Sequence, residues 1–341
     1  MPDARPAVRR VAVVGLGVGR AHLWAWKRLP DDFRVAAVCD HDADRRAATG
    51  ERFPDAAVAA DLDEVLARPD VDVVDLCTPP ALHLEQITAV LRAGKDVVCE
   101  KPVVGTVGEV DQLLAVEAKT GHRVMPIFQY RYGHGLQKLR HLVDAGATGP
   151  LHTATVEVSW LRGPAYYSAP WRGTVAGELG GVLLTHAVHA LDMLTYVAGP
   201  VVAVSARTAI RVNDVETEDC AAATLELDGG ALATLSATLG SLVEITRHRL
   251  CFARLTAESG TDPYTNSSDP WAFTGAGFDV AEALRGFVPR AENFLGQFER
   301  YAEALRVPGA ELPVTLHDAR RAIAAVAAMY ESAAGRREVR L

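Results

Sequence analysis

Three polar side chains recur along the apolar helical pattern of residues 178–197, at Thr185, His189 and Asp192. Positions i, i+4 and i+7 lie on one face of a helix, so one surface can carry all three. The imidazole of His189 titrates near neutral pH and can take the proton of a substrate hydroxyl as a general base. The alternative is a satisfied core histidine, the more common role of a single histidine in an apolar helix.

Lys101 follows a short apolar run and precedes Pro102. The residue before a proline is disfavoured in helical geometry, which suits a side chain displayed at the end of a strand. An ammonium there would stabilise a negative charge that develops on a substrate oxygen. The alternative is an ordinary surface lysine at a strand end.

A glycine-rich turn lies directly after the first apolar run and before a helical pattern, and consists of Gly15, Gly17, Val18 and Gly19. Glycines let the backbone approach a pyrophosphate, whose charge is met by free N–H groups at the helix N-terminus. The spacing departs from GxGxxG because Arg20 occupies the position of the third glycine, and a glycine turn without a ligand is the alternative.

Asp40 ends the second apolar run, where a carboxylate accepts hydrogen bonds from ribose hydroxyls. We therefore expect NAD rather than NADP as the cofactor. The acid would repel a 2′-phosphate, and the neighbours His41 and Asp42 include no arginine to receive one. A helix N-cap at Asp40 or Asp42 is the alternative role.

These motifs need a sheet to position them. Residues 10–130 alternate short β-branched runs with helical patterns, which is typical of a parallel sheet with crossover helices. The predicted strands are 11–14, 35–39, 71–77, 97–99 and 124–128. Parallel sheets bind ligands at the carboxyl ends of their strands. The candidate coenzyme contacts after these runs are Thr78, Pro79, Pro80, His83, Glu100, Lys101 and, at the crossover to the second half, Gln129.

After residue 130 the apolar runs become longer and alternate, at 153–160, 201–210, 221–227 and 231–238. The sequence thus predicts an α/β protein with an N-terminal Rossmann-type doubly wound parallel sheet in residues 1–128. A C-terminal α+β domain with a mainly antiparallel open sheet is expected in residues 129–341. Two final helices, at 292–305 and 316–334, could pack back toward the first domain. Residues 259–277 are expected to form a mobile loop.

Aromatic rings and arginines concentrate in residues 160–172. Aromatic faces and bidentate polar groups bind polar small molecules, so this segment is the candidate substrate wall. Its main candidates are Tyr166, Trp171 and Arg172, with Arg131 as a further contact at the crossover. The alternative is a loop that packs one domain on the other.

The composition argues against several function classes. The chain has 35 Lys+Arg against 43 Asp+Glu and no basic stripe, so a nucleic-acid partner is not expected. No run approaches the roughly 18 apolar residues of a membrane span. Five cysteines without CxxC spacing suit a reducing cytoplasm. No metal is expected, because His186 and His189 alone offer too few ligands.

The order and separation of these motifs resemble the glucose-fructose oxidoreductase / inositol dehydrogenase (Gfo/Idh/MocA) family over nearly the whole chain. The motifs are the glycine turn, Asp40, Thr78-Pro79-Pro80-x-x-His83, Glu100-Lys101-Pro102, Trp171-Arg172-Gly173, Gly180-Gly181-Val182-Leu183-Leu184, His189-x-x-Asp192 and Met329-Tyr330-Glu331-Ser332-Ala333. The resemblance implies an NAD(P)-dependent oxidoreductase for a secondary alcohol or ketone of a sugar, sugar derivative or cyclitol. Lys101 would hydrogen-bond the reacting oxygen and His189 would be the acid/base. The resemblance also implies a homo-oligomer, a dimer or tetramer, formed through the open face of the second sheet.

Thr185 departs from the family pattern, because many members carry an aspartate at this position. A hydroxyl can orient an imidazole or bond a substrate, but it cannot stabilise an imidazolium as a carboxylate does. Asp192 is the candidate replacement, and a buried polar cap is its alternative role. The departure leaves open a non-catalytic nucleotide-binding sensor or scaffold. A third possibility is a family hydrolase or lyase that uses NAD transiently.

Overall fold

The computed structural model describes residues 8–341, which form two compact units. The first unit contains the residues up to Val104, Gly108–Ile127 and Phe294–Ala319. The second contains Gly105–Val107, Phe128–Asn293 and Arg320–Leu341.

The first unit is built on a parallel sheet of six strands in the order β3-β2-β1-β4-β5-β6. The strands are β1 Arg9–Val14, β2 Phe33–Cys39, β3 Ala57–Ala59, β4 Val73–Leu76, β5 Asp96–Cys99 and β6 Val124–Pro126. The strand order reverses between β1 and β4, the kind of switch point at which doubly wound sheets bind ligands. The predicted doubly wound sheet is confirmed, although the short strand β3 was not predicted.

Helices connect these strands: α1 Gly19–Trp26, α2 Ala43–Gly50, α3 Leu62–Leu66, α4 His83–Arg92 and α5 Val107–Thr120. Val11, Ala12 and Val13 of β1 are fully buried, as expected for a central strand with both faces covered. The N-cap of α2 is Asp42, whose side chain accepts the Arg45 N–H.

The second unit is built on an eight-stranded sheet in the order β13-β12-β11-β7-β10-β9-β8-β14. The strands are β7 Leu151–Leu161, β8 Val201–Ala209, β9 Cys220–Leu227, β10 Leu232–Thr238, β11 Gly240–Phe252, β12 Leu255–Glu258, β13 Ala272–Gly275 and β14 Val339–Arg340. Every pair is antiparallel except β7–β10, so the mainly antiparallel sheet is confirmed. Buried and exposed residues alternate along β10, so one face of the sheet covers the core.

The remaining helices are α6 His134–Asp144, α7 Val175–Glu178, α8 Val188–Ala198, α9 Val280–Ala283, α10 Asn293–Arg306 and α11 Leu316–Gly335. The single helix predicted over residues 178–197 is wrong in detail. Leu179 adopts a left-handed φ of +66°, which ends α7, and a π-helical turn, Leu183–Ala187, leads into α8. Within residues 8–341, the stretch Val175–Ala198 is long and apolar enough to span a membrane, but 78% of its apolar window is buried in the protein, as in a core helix.

Helix α10 packs in the first unit, where its Phe298 ring stacks on Trp26 with ring centroids 3.7 Å apart. Tyr301 of the same helix stacks on Phe33 of β2. Aromatic side chains therefore fix this late segment to α1 and β2.

The predicted loop of residues 259–277 contains strand β13 and is anchored by buried residues, while its mobility remains a prediction. Asn266 and Ser267 are 1% and 0% exposed, and the Trp271 indole donates to the Asn266 carbonyl. The Ser267 carbonyl accepts the Leu136 N–H at 2.9 Å. A Cβ at Gly135 would lie 1.9 Å from the Trp271 ring, so this close packing needs a glycine.

Candidate active site

The glycine turn after β1 leaves an open surface at the start of α1. Gly15 has φ +92°, and a Cβ there would lie 2.5 Å from the Cys77 carbonyl oxygen, so only glycine fits. Gly17 and Val18 are exposed, and a Cβ at Gly17 would meet no atom within 4 Å. The first turn of α1 begins at Gly19, at the helix end whose N–H groups point toward a bound anion. These residues fit the pyrophosphate of a dinucleotide.

Asp40 lies at the carboxyl end of β2 and is 4% exposed. Its Oδ2 accepts the Leu16 N–H at 2.7 Å, and its Oδ1 accepts the Asp42 N–H at 2.9 Å. Burial opposes ionisation, but these amide hydrogen bonds and Arg45 outweigh it and hold the pKa of Asp40 below its usual value. The carboxylate is therefore charged and fixed against the glycine turn.

The immediate neighbours of Asp40 include no arginine, but the fold brings two arginines to it. Arg45 Nη1 lies 3.1 Å from the Asp40 Oδ2, and Arg46 donates to the Asp40 carbonyl oxygen at 2.7 Å. The first turn of α2 folds these residues back onto the strand end, so the two immediate sequence neighbours do not define the charge there.

His83 connects the loops that follow β4 and β5. Its side chain is fully buried, with Nδ1 2.9 Å from the Pro102 carbonyl oxygen and Nε2 2.9 Å from the Thr78 carbonyl oxygen. The Thr78 hydroxyl donates to Gln86 at 2.6 Å. Both His83 nitrogens thus face the protein, so His83 holds the loops of Thr78-Pro79-Pro80 and Lys101-Pro102 in place rather than offering a nitrogen to a coenzyme.

Glu100 and Lys101, which follow β5, have different roles. The Glu100 carboxylate faces inward, 3.1 Å from His22 Nε2, and its second oxygen accepts the Lys101 N–H at 3.0 Å. We therefore assign Glu100 to support of the backbone instead of the predicted coenzyme contact. Lys101 is half-buried at the same sheet edge as the glycine turn and Asp40, because all three follow parallel strands.

One group of residues within 8–341 has the donor types and spacing of a metal site: His22, Asp75 and Cys77, with ligand atoms within 4.8 Å of one another. Burial would lower the pKa of His22, but the adjacent Asp75 carboxylate raises it well above its usual value. A protonated imidazole cannot bind a metal ion. These residues therefore fit a buried ionic network better than a metal ion.

In the second unit, His189 lies in the first turn of α8 and is 5% exposed. Its ring stacks on Tyr130, with centroids 4.6 Å apart and planes at 29°, and meets Phe128 edge-on at 6.3 Å. Tyr130 belongs to a one-turn 3-10 helix, Gln129–Tyr132. Aromatic packing therefore fixes the orientation of the imidazole.

Asp192 and Arg131 form a buried bidentate ion pair, with N–O distances of 2.8 and 2.6 Å. The side chains are 3% and 7% exposed, and the guanidinium also lies over the Tyr196 ring. This ion pair holds the 3-10 helix on α8, whereas the substrate contact predicted for Arg131 and the catalytic support predicted for Asp192 remain predictions.

Gln129 offers an unused acceptor. It is 8% exposed, and within residues 8–341 its buried carboxamide oxygen makes no hydrogen bond. A buried acceptor without a partner is costly unless a ligand or water satisfies it. The predicted role of Gln129 as a ligand contact remains a prediction that this geometry favours.

Thr185 lies in the π-helical turn and contacts His186, which the sequence assigned no role. The Thr185 hydroxyl donates to the Gly181 carbonyl at 2.7 Å, so its oxygen is the acceptor for His186 Nδ1, also at 2.7 Å. The His186 ring lies 5.3 Å from Trp160 and 5.7 Å from Tyr166. A π-helical turn that carries polar side chains is frequently a functional feature, and only the tertiary structure shows it here.

The predicted substrate wall forms one cluster. The Arg172 guanidinium lies 4.0 Å over the Tyr166 ring and 4.3 Å over the Trp171 ring, and it also contacts the Tyr166 hydroxyl. Glu178, which the sequence did not single out, lies 3.1 Å from Arg172 and accepts the Gly173 N–H. The structure thus brings Tyr166, Trp171 and Arg172 together, and the Glu178 carboxylate neutralises the Arg172 guanidinium.

Two family models match the chain. Residues 9–128 match the oxidoreductase family, NAD-binding Rossmann fold, and residues 136–249 match the GFO/IDH/MocA C-terminal domain. Together these matches cover well over half of the chain.

Among curated relatives, the scyllo-inositol 2-dehydrogenase (NADP(+)) IolW of Bacillus subtilis (strain 168) is 26% identical over 313 residues, 85% of this chain and 84% of that protein. The D-glucoside 3-dehydrogenase of Escherichia coli (strain K12) is 29% identical over 192 residues, 56% of this chain and 54% of that protein. Some curated relatives are thus matched over little more than half of their length.

Among solved structures, the WlbA dehydrogenase from Chromobacterium violaceum, in complex with NADH and UDP-GlcNAcA, is 26% identical with a TM-score of 0.86. The match covers 98% of this chain and 96% of that chain.

Proposed function

Because this chain belongs to the Gfo/Idh/MocA family of oxidoreductases, we propose that it transfers hydride between a nicotinamide coenzyme and a secondary alcohol or ketone of a sugar, sugar derivative or cyclitol. The observation that supports the proposal most directly is the set of residues at one edge of the parallel sheet in the first unit. The open glycine turn, the charged Asp40 and Lys101 all follow parallel strands of the same sheet.

Each candidate catalytic residue has a distinct role in this proposal. Nicotinamide, when bound, supplies the hydride acceptor. The Lys101 ammonium hydrogen-bonds the reacting oxygen and stabilises its developing negative charge. His189 takes the hydroxyl proton as hydride leaves the carbinol carbon, and returns that proton in the reverse reaction. Tyr166, Trp171, Arg172 and Thr185 are the proposed substrate contacts.

NAD is the proposed coenzyme. The fixed Asp40 carboxylate suits the ribose hydroxyls and opposes a 2′-phosphate. Arg45 offsets part of this charge, and the relative IolW is named as NADP(+)-dependent. We expect kcat/KM for NAD to exceed that for NADP by about tenfold or more. A strong preference for NADP would overturn the use of Asp40.

The test of the activity is a broad panel of polyols and sugars, with NADH formation followed at 340 nm. We expect Lys101→Ala to lose turnover while NADH still binds, because the ammonium acts on the reacting oxygen. Undiminished turnover in Lys101→Ala would refute the assigned role.

A non-catalytic sensor or scaffold is the second candidate, and Thr185 favours it, since many family members carry an aspartate there. NADH binding without turnover on any member of a broad panel would support this alternative. In either case we propose a cytoplasmic homo-oligomer, a dimer or tetramer, associated through the exposed face of the second sheet. Light scattering after size-exclusion chromatography measures that state.

A further inference from the structure

A buried ionic network lies behind Lys101 in the first unit. His22 of α1 is fully buried, with Nδ1 2.9 Å from Asp75 Oδ2 and Nε2 3.1 Å from Glu100 Oε1. The Trp26 indole donates to the same Asp75 oxygen at 2.7 Å. The imidazole thus bridges the end of β4 to the residue that follows β5.

The charges of this network are tightly enclosed. The side chains of His22 and Asp75 are 0% exposed and that of Glu100 is 9% exposed. The Phe294 and Phe298 rings cover the imidazole at centroid distances of 4.4 and 5.4 Å. Burial raises the pKa of Glu100, but the hydrogen bond from His22 outweighs it, so that the pKa lies below its usual value. Glu100 is therefore a carboxylate.

The network ends on the backbone of Lys101. One Glu100 oxygen faces His22, and the other accepts the Lys101 N–H at 3.0 Å. On the far side of Lys101, the Pro102 carbonyl oxygen contacts His83 at 2.9 Å. Buried side chains therefore hold the peptide group that precedes the Lys101 Cα and the peptide group that follows Pro102.

We propose that His22 and Glu100 are positioning residues that fix the backbone of Lys101 and so aim its ammonium. Lys101 follows a strand and lies before a proline, so no regular ladder continues past it to define its position. Buried ion pairs cost desolvation energy and are retained in some proteins for the geometry that they specify. This inference rests on the catalytic role proposed for Lys101.

Two variants of Glu100 give the main test. Glu100→Ala removes the acceptor for the Lys101 N–H, whereas Glu100→Gln keeps a carbonyl oxygen that can accept it. Because misplacement of a reacting group by about 1 Å can cost on the order of 100-fold, we expect Glu100→Ala to lower kcat by about 10- to 100-fold. KM for NAD and the Kd for NADH should stay within about threefold, and Glu100→Gln should recover most of kcat.

Amide hydrogen exchange provides a measurement that does not depend on turnover. A peptide covering residues 97–104 should exchange faster in Glu100→Ala and in His22→Gln, and near the wild-type rate in Glu100→Gln. His122→Gln is the matched control, because it breaks a histidine–carboxylate contact with Asp96 at the opposite end of the same strand. This control should change neither kcat nor the exchange of that peptide.

The possible outcomes separate the two proposals. Faster exchange with a loss of kcat and rescue by Glu100→Gln supports positioning. Unchanged exchange in Glu100→Ala, or an equal loss of kcat in Glu100→Gln and Glu100→Ala, overturns it. Full turnover of Lys101→Ala would instead refute the catalytic role proposed for Lys101, whatever the exchange rates show. If Glu100→Ala fails to fold, His22→Gln is judged by the same two measurements.

Discussion

Two fully buried histidines support the two candidate catalytic residues in opposite charge states. His22 lies between Asp75 and Glu100, and Glu100 holds the Lys101 backbone. His248 donates to the Ala190 carbonyl at 2.9 Å, next to His189, and its other nitrogen contacts Asn266. The surroundings of His22 raise its pKa, whereas burial lowers the pKa of His248 to about 4. Both side chains are buried, so the difference between their charge states comes from their partners: carboxylates at His22, and a carbonyl and an amide at His248.

The largest expected effect is on the turnover of a variant that lacks the candidate acid/base itself, rather than a residue that supports it. His189→Ala should lower kcat by about 100- to 10,000-fold, the range for loss of a general acid or base. The Kd for NADH should change little, since His189 belongs to the second unit. Steady-state kinetics and NADH fluorescence titration measure the two quantities. Turnover near the wild-type rate would remove His189 from the mechanism.

The buried Arg131–Asp192 ion pair of the second unit lies next to Tyr130, which packs on His189. Removing one partner of this ion pair should strongly destabilise the protein. Arg131→Met leaves the Asp192 carboxylate buried without its guanidinium, so we expect a loss of about 3–5 kcal/mol in the free energy of unfolding. Urea denaturation measures this loss. Lys138→Met, which breaks a more exposed pair with Asp269, is the control and should cost less than about 1 kcal/mol. Equal losses in the two variants would show that Arg131–Asp192 is not a special contact.

The pH dependence of stability should distinguish the two histidines. The folded pKa of His248 lies below the unfolded value of about 6.5, so its contribution is present above that pH and is lost as pH falls toward 4. At pH 5 the loss should be about 2 kcal/mol relative to pH 7 or above. His248→Gln should remove this loss in urea denaturation at the two pH values.

The contribution of His22 to stability should change with pH in the opposite direction. Its folded pKa is raised, so its contribution is complete below about pH 6.5 and is lost as pH rises through the folded value. His22→Gln should therefore leave the acid loss due to His248 in place. Removal of the acid loss by His22→Gln instead of His248→Gln would reverse the charge states assigned to the two residues.

The first unit was largely predictable from sequence because its signals are local. Apolar runs with crossover helices define a parallel sheet, and such a sheet places the glycine turn, Asp40 and Lys101 at one edge. The contacts that the sequence did not predict in this unit join residues far apart in the chain, such as His22 and Glu100, which are 78 positions apart. Arg45 was missed for another reason, because only the turn of α2 brings it to Asp40.

The second unit was less predictable. The sequence signals missed β11, a 13-residue strand, together with the short strands β12, β13 and β14. Residues 259–277 have the composition of a loop, and composition does not reveal that Asn266 and Ser267 are buried. The helical pattern around His189 assumed regular geometry, which the left-handed Leu179 and the π-helical turn interrupt.

The sequence by itself determined the parallel sheet of the first unit, the antiparallel character of the second sheet and the candidate residues for acid–base chemistry, since these follow from side-chain type and short-range spacing. Only the tertiary structure decided what each polar group contacts. It made Asp192 the partner of Arg131, turned Glu100 inward to His22, and set the charge of each buried histidine. Electrostatic energies depend on distances and burial between residues far apart in the chain, and spacing along a sequence does not specify either.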